Sequence, residues 1–145
     1  MATSEARTSP LRILLSEGSS TSAREAITIL GMQGHHVEVC DPDPRCLGRF
    51  SRFVRRFYRC PGLGVDPAGY VNFVLVLLAR RPFDVLLPIH EQGYALSKMR
   101  EAIEKHVAVA LPAHAAYQQA HSKASFSRLL SGLDLPQPRT WLVRT

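Results

Sequence analysis

Residues 11–41 alternate strand, helix and strand patterns within about thirty residues, and this alternation constrains the fold more than any other feature of the chain. Residues 11–16 form a short apolar run followed by a turn-forming cluster, which is typical of a buried parallel strand. Ser22 and Glu25 fit a capping box, so we expect a helix from Ser22 to the turn at Gly34. Residues 36–40 predict a second strand. Such a unit is almost always a right-handed crossover between parallel strands.

The remaining chain continues this alternation, so the sequence predicts an α/β fold, a Rossmann-like three-layer αβα domain with a parallel sheet. The further elements expected are a strand at 53–58, a helix at 67–81, a strand at 84–89, a helix at 91–104, a strand at 107–111, a short helical turn at 112–119 and a helix at 122–132. The helix at 67–81 is apolar around most of its circumference. This is typical of a helix that is wedged between elements or covered by another domain or subunit.

Composition excludes several classes of protein. With 145 residues and 46% apolar side chains, the chain can bury one core, and it is too apolar to stay disordered. The longest near-continuous apolar run, residues 70–79, is about half of the roughly 20 residues that a bilayer span needs, so we expect no membrane helix and a cytoplasmic protein. Residues 1–10 lack the apolar stretch of a secretion signal, which predicts a mobile leader. Cys40, Cys46 and Cys60 lack a metal-binding spacing, so we expect free thiols and no metal site.

Six arginines lie between Arg45 and Arg59 without any acidic residue. Removing them from the 18 Lys and Arg leaves 12 basic against 12 acidic residues, so this segment carries the whole net charge of +6. Arginines interleaved with aromatic residues can bind phosphates and stack on bases, which would indicate a nucleic-acid-binding module. They can also cover one side of a strand whose other side packs. We favour this structural interpretation, because nucleic-acid-binding domains usually spread positive charge over a whole face.

Candidate binding residues follow the strands, because ligands of open parallel sheets bind beyond the carboxyl ends of the strands. Ser16, Glu17, Gly18 and Ser19 follow the first strand, and Glu91 follows the fourth. The first loop could hold a small anion at the start of the next helix, although it contains neither a dinucleotide-binding glycine motif nor a P-loop. No His-Glu-x-x-His motif surrounds Glu91, and we interpret Glu91 on residues alone as a helix cap rather than a catalytic acid.

Several segments occur together in a recognisable order. They are Arg12-Ile-Leu-Leu-Ser-Glu-Gly, Gly34-His-His-Val-Glu-Val-Cys-Asp-Pro-Asp-Pro, Ser51-Arg-Phe, Pro61, Asp66-Pro-Ala-Gly-Tyr70, Asp84-Val-Leu-Leu-Pro-Ile-His-Glu91, Ser122-Lys123 and Gly132-Leu-Asp-Leu-Pro-Gln-Pro-Arg-Thr140. Over residues 11–145 this order resembles the N-terminal part of ATP-grasp proteins, in particular the stand-alone ligase-like members related to carbamoyl-phosphate synthase large chains. The resemblance implies a pre-ATP-grasp domain of an enzyme that uses ATP and magnesium to activate a small carboxylate for attack by an amine, a thiol or ammonia.

The resemblance also implies roles for individual residues. Lys123 matches the position whose basic residue contacts nucleotide phosphate, with Ser122 in place of the usual Asp. Glu91 matches the acid that faces the substrate side in relatives. The loop containing Ser16, Glu17, Gly18 and Ser19 matches the first-strand loop, which is also near substrate.

The same resemblance divides the chain into a leader at 1–10, a pre-ATP-grasp domain at 11–121 and the beginning of the ATP-grasp part at 122–145. The family's nucleotide-holding lysine, adenine-contacting segment and metal ligands lie after residue 143, so we expect residues 1–145 alone to bind no ATP or magnesium and to be inactive. The expected partner is the remainder of an ATP-grasp chain or a dimer partner. Two alternatives stay open: a stand-alone module that binds a small anion or an interaction partner, and a nucleic-acid-binding module through residues 45–59.

Overall fold

The computed structural model of the protein describes residues 9–141 and residue 143, and its centre is a five-stranded sheet in which every pair of neighbouring strands is parallel. The strands are β1 (Arg12–Leu15), β2 (His36–Asp41), β3 (Val54–Arg59), β4 (Val85–Leu87) and β5 (Ala108–Val109), in the order β3-β2-β1-β4-β5. β1 is central, with Leu14 paired to Glu38 on one side and to Leu86 on the other. The predicted parallel α/β sheet is confirmed.

Helices cover both faces of this sheet. They are α1 (Thr21–Met32), α2 (Pro67–Arg80), α3 (Gln92–Ser97), α4 (Arg100–Glu104), α5 (His114–His121) and α6 (Lys123–Gly132), with a 3₁₀ helix at Leu47–Phe50 before β3. Alternate strand residues point to opposite faces and build two cores. On one face Ile13 and Leu15 pack with Ile27 of α1. On the other face Leu14 and Leu86 pack in a cluster with residues of α2, α3 and α4, which confirms the three-layer arrangement.

The start of α1 differs from the expected capping box. The helix begins at Thr21, and its cap is Ser20, whose hydroxyl oxygen accepts a hydrogen bond from the backbone N–H of Ala23 at 3.0 Å. The Ser20 hydroxyl itself donates to the carboxylate of Glu17, which fixes its position. The capping box of Ser22 and Glu25 is therefore wrong, because the Glu17 carboxylate, three residues before Ser20, holds the earlier serine as the cap.

The single helix expected at 91–104 is two short helices that meet at Lys98 and Met99. The hydroxyl of Ser97 donates to the carbonyl oxygen of Tyr94 at 2.7 Å and also lies 2.7 Å from Nδ1 of His114. A continuous helix would use the Tyr94 carbonyl for the N–H of Lys98, so the serine hydroxyl competes with the helical ladder at this point. The strand expected at 107–111 is correspondingly reduced to Ala108–Val109.

Helices α2 and α6 are among the elements that keep apolar side chains at least partly open to solvent. On α2, Tyr70, Val74, Leu77 and Leu78 are buried, whereas Val76 is 39% exposed. Helices α5 and α6 contain no buried residue, and Phe126 of α6 is 43% exposed. Of these helices, α2 is the one for which the sequence suggests a covering domain or subunit.

No helix in residues 9–141 has the length and apolar character needed to cross a membrane. The leader expected at 1–10 lies almost wholly outside the described residues, as does the end of the segment at 122–145. The domain boundaries and the cytoplasmic location stay predictions.

Candidate functional site at the carboxyl edge of the sheet

The central strands β1 and β4 are neighbours, but the chain leaves them toward opposite faces of the sheet. After β1 it enters α1 on one face, and after β4 it enters α3 on the other. In doubly wound sheets such a change of direction creates a crevice at the carboxyl ends of the two strands, and ligands bind there. The two loops that flank the crevice are residues 16–20 and 88–91, and they contain five of the six residues singled out from the sequence.

Ser16 joins the two loops directly. Its hydroxyl oxygen accepts a hydrogen bond from the N–H of Ile89 at 2.8 Å, and its backbone N–H donates to the carbonyl oxygen of Leu87 at 3.2 Å. The hydroxyl of Tyr70, from α2, donates to the carbonyl oxygen of Ser16 at 2.9 Å. Desolvation by burial raises the pKa of Tyr70, so its phenol stays protonated as the donor in this bond. Ser16 therefore positions the loops rather than presenting a free hydroxyl.

Two buried carboxylates occupy the N–H groups of the first loop. Glu17 is 6% exposed and accepts hydrogen bonds from the N–H groups of Ser19 at 2.9 Å and Ser20 at 3.1 Å. Asp41, at the end of β2, accepts from the N–H of Gly18 and from the hydroxyl of Ser19, both at 2.8 Å. An external anion that binds the N–H groups of Gly18, Ser19 or Ser20 would have to displace Glu17 or Asp41. The geometry therefore disfavours the small-anion alternative for this loop.

Gly18 has no room for a side chain. A Cβ atom there would lie 2.8 Å from Cγ1 of Val39 and 3.1 Å from Sγ of Cys46. The carbonyl oxygen of Gly18 also accepts from the N–H of Gly48 at 2.9 Å, so the loop and the 3₁₀ helix are in backbone contact. The loop of residues 16–20 is thus a closed, internally bonded structure.

Glu91 lies on the other side of the crevice, and its surroundings are open. It occupies the N-cap position of α3, as expected. Its side chain, however, makes no capping hydrogen bond. The preceding residue, His90, is exposed and has a positive φ of 51°, which is uncommon for a residue other than glycine. No sequence signal marks His90 for this conformation. Among the described residues Glu91 makes no ion pair or side-chain hydrogen bond, and it faces an apolar groove.

This groove separates α2 from α3 and has a volume of about 760 Å³. One wall is a stripe of α2 residues at helical spacing, and the other is the α3 stripe that begins at Glu91. The residues facing the groove from the two helices include Pro67, Val71, Leu75, Glu91, Tyr94 and Lys98. Because residues three to four apart share a helix face, both stripes can be found in the sequence once the two helices are known to be neighbours.

Two aromatic rings that line the groove, those of Tyr94 and His121, belong to a cluster that joins α3 to α5. The Tyr94 ring stacks on His121 with centroids 4.8 Å apart, and Tyr117 meets Tyr94 edge-on at 5.9 Å. His114 also contacts the Tyr94 ring, at 5.2 Å. Sequence analysis did not single out these side chains, although the spacing of residues 114, 117 and 121 places them on one face of a helix.

Lys123 stands apart from these loops. It is the first residue of α6, is exposed, and takes part in no ion pair within the described part of the chain. His121, which is two residues before Lys123 in the sequence, lines the groove. No group of three or more His, Cys, Asp or Glu side chains suited to a metal ion occurs in residues 9–141 and 143. An exposed lysine without a metal-ligand cluster does not fit an ATP–magnesium site, and no reaction step can be derived through these groups.

Two of the three cysteines near the crevice, Cys40 and Cys46, have a raised pKa, whereas a hydrogen bond with Cys40 lowers the pKa of the Cys60 thiol. All three are free and buried. A hydrogen bond with Cys60, together with burial, raises the pKa of the Cys40 thiol, and desolvation by burial raises the pKa of Cys46. A raised pKa keeps a thiol protonated near neutral pH, and the thiolate is the reactive form.

No protein-family model and no curated protein sequence matches this chain. Among solved structures, the fold is similar to glycinamide-RNase-transformylase T from Mycobacterium tuberculosis, with a TM-score of 0.65 and 19% identity over 90% of this chain and 38% of that one. It is also similar to the multifunctional pyruvate carboxylase from Rhizobium etli, with a TM-score of 0.61 and 17% identity over 91% of this chain and 13% of that one. These likenesses establish the Rossmann-like fold, and this chain spans well under half the length of either protein.

Proposed function

We propose that this chain is the substrate-side N-terminal domain of an ATP-grasp ligase that joins a small carboxylate to an amine or a thiol. The two similar structures support this proposal, because both belong to the ATP-grasp family and both match across nine-tenths of this chain. The sequence resemblance of residues 11–145 points to the same family.

One observation carries the proposal to a particular residue. Glu91 follows the end of β4 by four residues, in the loop beside the point where the strand order reverses, and it lines the open groove between α2 and α3. Ligands of such sheets bind at this point. In the facing loop, Glu17 and Asp41 already occupy the N–H groups, so Glu91 is the acid that remains open to a substrate. We assign Glu91 to substrate binding and Ser16, Glu17, Gly18 and Ser19 to shaping the crevice beside it.

Under this proposal ATP and magnesium bind only when an ATP-grasp part is present, with Lys123 contributing one contact to a nucleotide phosphate. A lone exposed ion pair contributes about 0–1 kcal/mol, whereas a micromolar site needs about 8 kcal/mol. The remaining free energy must come from other residues. The exposed apolar side chains Val76 on α2 and Phe126 on α6 are suited to contact that further part or a dimer partner.

Titration calorimetry with magnesium-ATP tests the nucleotide part of the proposal. We expect the 145-residue chain and its Lys123→Ala variant alike to show no saturable site below about 1 mM. Micromolar binding by the unmodified chain that is lost in Lys123→Ala would show that this domain holds a complete nucleotide site, and it would contradict the proposal.

Amide NMR tests the substrate part. Millimolar glycine, propionate and propylamine, each titrated into the labelled chain, should shift amide signals of residues 16–20 and 89–95 in at least one case. Glu91→Gln should abolish these shifts, whereas Glu101→Gln, which neutralises an exposed acid on α4, should leave them unchanged. Shifts that are identical in the unmodified chain and in Glu91→Gln would remove Glu91 from the site.

A further inference from the structure

The arginine-rich segment ends in β3, which is an edge strand of the sheet. β3 pairs with β2 on one side, and within the described residues no other strand pairs with it. It is six residues long, whereas the opposite edge, β5, has two residues. A long edge strand presents a row of backbone N–H and C=O groups to which another extended chain can add.

Positive charge surrounds this edge and is almost entirely uncompensated. All six arginines between residues 45 and 59 are exposed. Only Arg45 forms an ion pair in the described part of the chain, a 3.8 Å contact with Asp43. Glu38, the acid opposite Arg56 on β2, is instead paired with Arg12 at 3.9 Å and Arg81 at 3.6 Å.

Aromatic rings hold part of this positive surface in place. The Arg49 guanidinium lies 5.0 Å from the centre of the Phe57 ring and donates to the carbonyl oxygen of Pro44 at 2.7 Å. The Arg52 guanidinium lies 4.8 Å from the Phe53 ring. Guanidinium groups that are already positioned lose less conformational entropy when they bind a carboxylate.

The pairing of β3 with β2 is regular only over the last four residues of β3. The pairing with β2 shifts between Val37 and Glu38, which leaves Arg55 as an extra residue, and it then runs without interruption from Arg56 to Arg59. Charge and a bulge are both devices that keep an edge from pairing with copies of itself. The effect of the charge depends on the partner, because a cationic edge repels a second cationic edge and attracts an acidic strand.

We propose that β3 is a docking edge for an acidic peptide segment, which adds as a sixth strand along Arg56–Arg59. Arg56 and Arg59 are three residues apart, so their side chains lie on opposite faces of the sheet. A partner strand therefore needs two carboxylates three residues apart, one on each face. A second copy of this chain is excluded as the occupant by charge, because its own β3 carries the same arginines. The proposal does not depend on the ligase assignment.

Fluorescence polarisation of the 145-residue chain with a labelled peptide tests this edge. The probe is an eight-residue peptide of threonine and valine with glutamate at its third and sixth positions. Two controls match it: the same sequence with methylated threonine and valine nitrogens, and an oligothymidylate of similar length. We expect the acidic peptide to bind, and the methylated peptide to bind at least about tenfold more weakly because it cannot form the ladder.

Two charge-matched variants locate the site. Arg56→Gln with Arg59→Gln should weaken peptide binding about tenfold, whereas Arg24→Gln with Arg128→Gln, exposed arginines of α1 and α6, should change it less than twofold. Thermal unfolding confirms that both variants are folded. Any one of four results would overturn the proposal. The plain and methylated peptides could bind equally, or the two variants could have equal effects. The oligonucleotide could bind more tightly than the peptide, or the peptide could show no binding below about 1 mM.

Discussion

Replacing Ser20 or Ser22 by alanine tests which of the two serines caps α1. The structure assigns the cap to Ser20, whereas the sequence suggests Ser22. Ser20 caps the helix through its bond from the Ala23 N–H and also donates to the buried carboxylate of Glu17. Ser22 is exposed and makes neither contact. The two substitutions remove the same atoms two residues apart, so each is the control for the other.

The expected cost differs between the two positions. Loss of a serine cap costs about 0.5–2 kcal/mol. A hydrogen bond to a charged group adds about 1.5–3 kcal/mol, of which only part is lost here because Glu17 keeps the N–H donors of Ser19 and Ser20. We expect Ser20→Ala to lower the free energy of unfolding by about 2 kcal/mol. Ser22→Ala should change it by less than about 0.5 kcal/mol, since it removes only an exposed hydroxyl.

Urea unfolding followed by far-ultraviolet circular dichroism measures both values. For a chain of this size, about 2 kcal/mol corresponds to a fall in Tm of roughly 4–8 °C, which a thermal melt resolves. A Ser22→Ala variant that loses as much stability as Ser20→Ala would refute the assignment of Ser20 as the cap. It would restore the capping box of Ser22 and Glu25.

Three further changes test the core and the crevice. Leu14→Asp should prevent folding, because it buries an unpaired carboxylate in the central strand at a cost of several kcal/mol against a total stability of about 5–15 kcal/mol; a soluble variant that melts cooperatively would contradict the fold. Gly18→Ala should lower the free energy of unfolding by about 1–3 kcal/mol, because its Cβ would lie 2.8 Å from Val39; unchanged urea unfolding would show that the loop has room. Because burial raises the pKa of Tyr70, the folded chain holds the phenol proton more tightly than the unfolded chain, so stability should fall as pH rises above about 10; an equally steep fall in Tyr70→Phe would exclude this cause.

Local sequence rules predicted the elements whose boundaries depend on local chemistry. Asp66 and Pro67 mark the start of α2, and the Asp66 carboxylate accepts from the N–H of Gly69 at 2.8 Å as an N-cap should. The same helix ends at Arg80, close before Pro82, as expected. Gly34 follows α1 with a φ of 88°, which favours glycine. In each case the deciding contact is made within a few residues of chain.

The boundaries that differ from expectation depend on side-chain contacts that the local capping and periodicity rules do not describe. Ser20 and Ser22 are equivalent as local caps, and the bond of Ser20 with buried Glu17 decides between them. The break after α3 follows from the Ser97 hydroxyl, which lies beside His114 of α5. The contact of Ser97 with His114 joins residues 17 apart, so it could not be inferred before α5 was known to pack against α3.

The two loops of the candidate site also look alike in the sequence and differ in the structure. From the sequence, the loop that contains Glu17 and the residue Glu91 are equivalent, since each is an acid after a central strand. In the structure the carboxylates of Glu17 and Asp41 occupy the backbone donors of the loop just before α1, and neither acid is open to solvent. Glu91 has no such partner among the described residues and faces the groove between α2 and α3. Burial therefore gives Glu17 and Asp41 a structural role. Glu91 is left as the acid to which a ligand can bind.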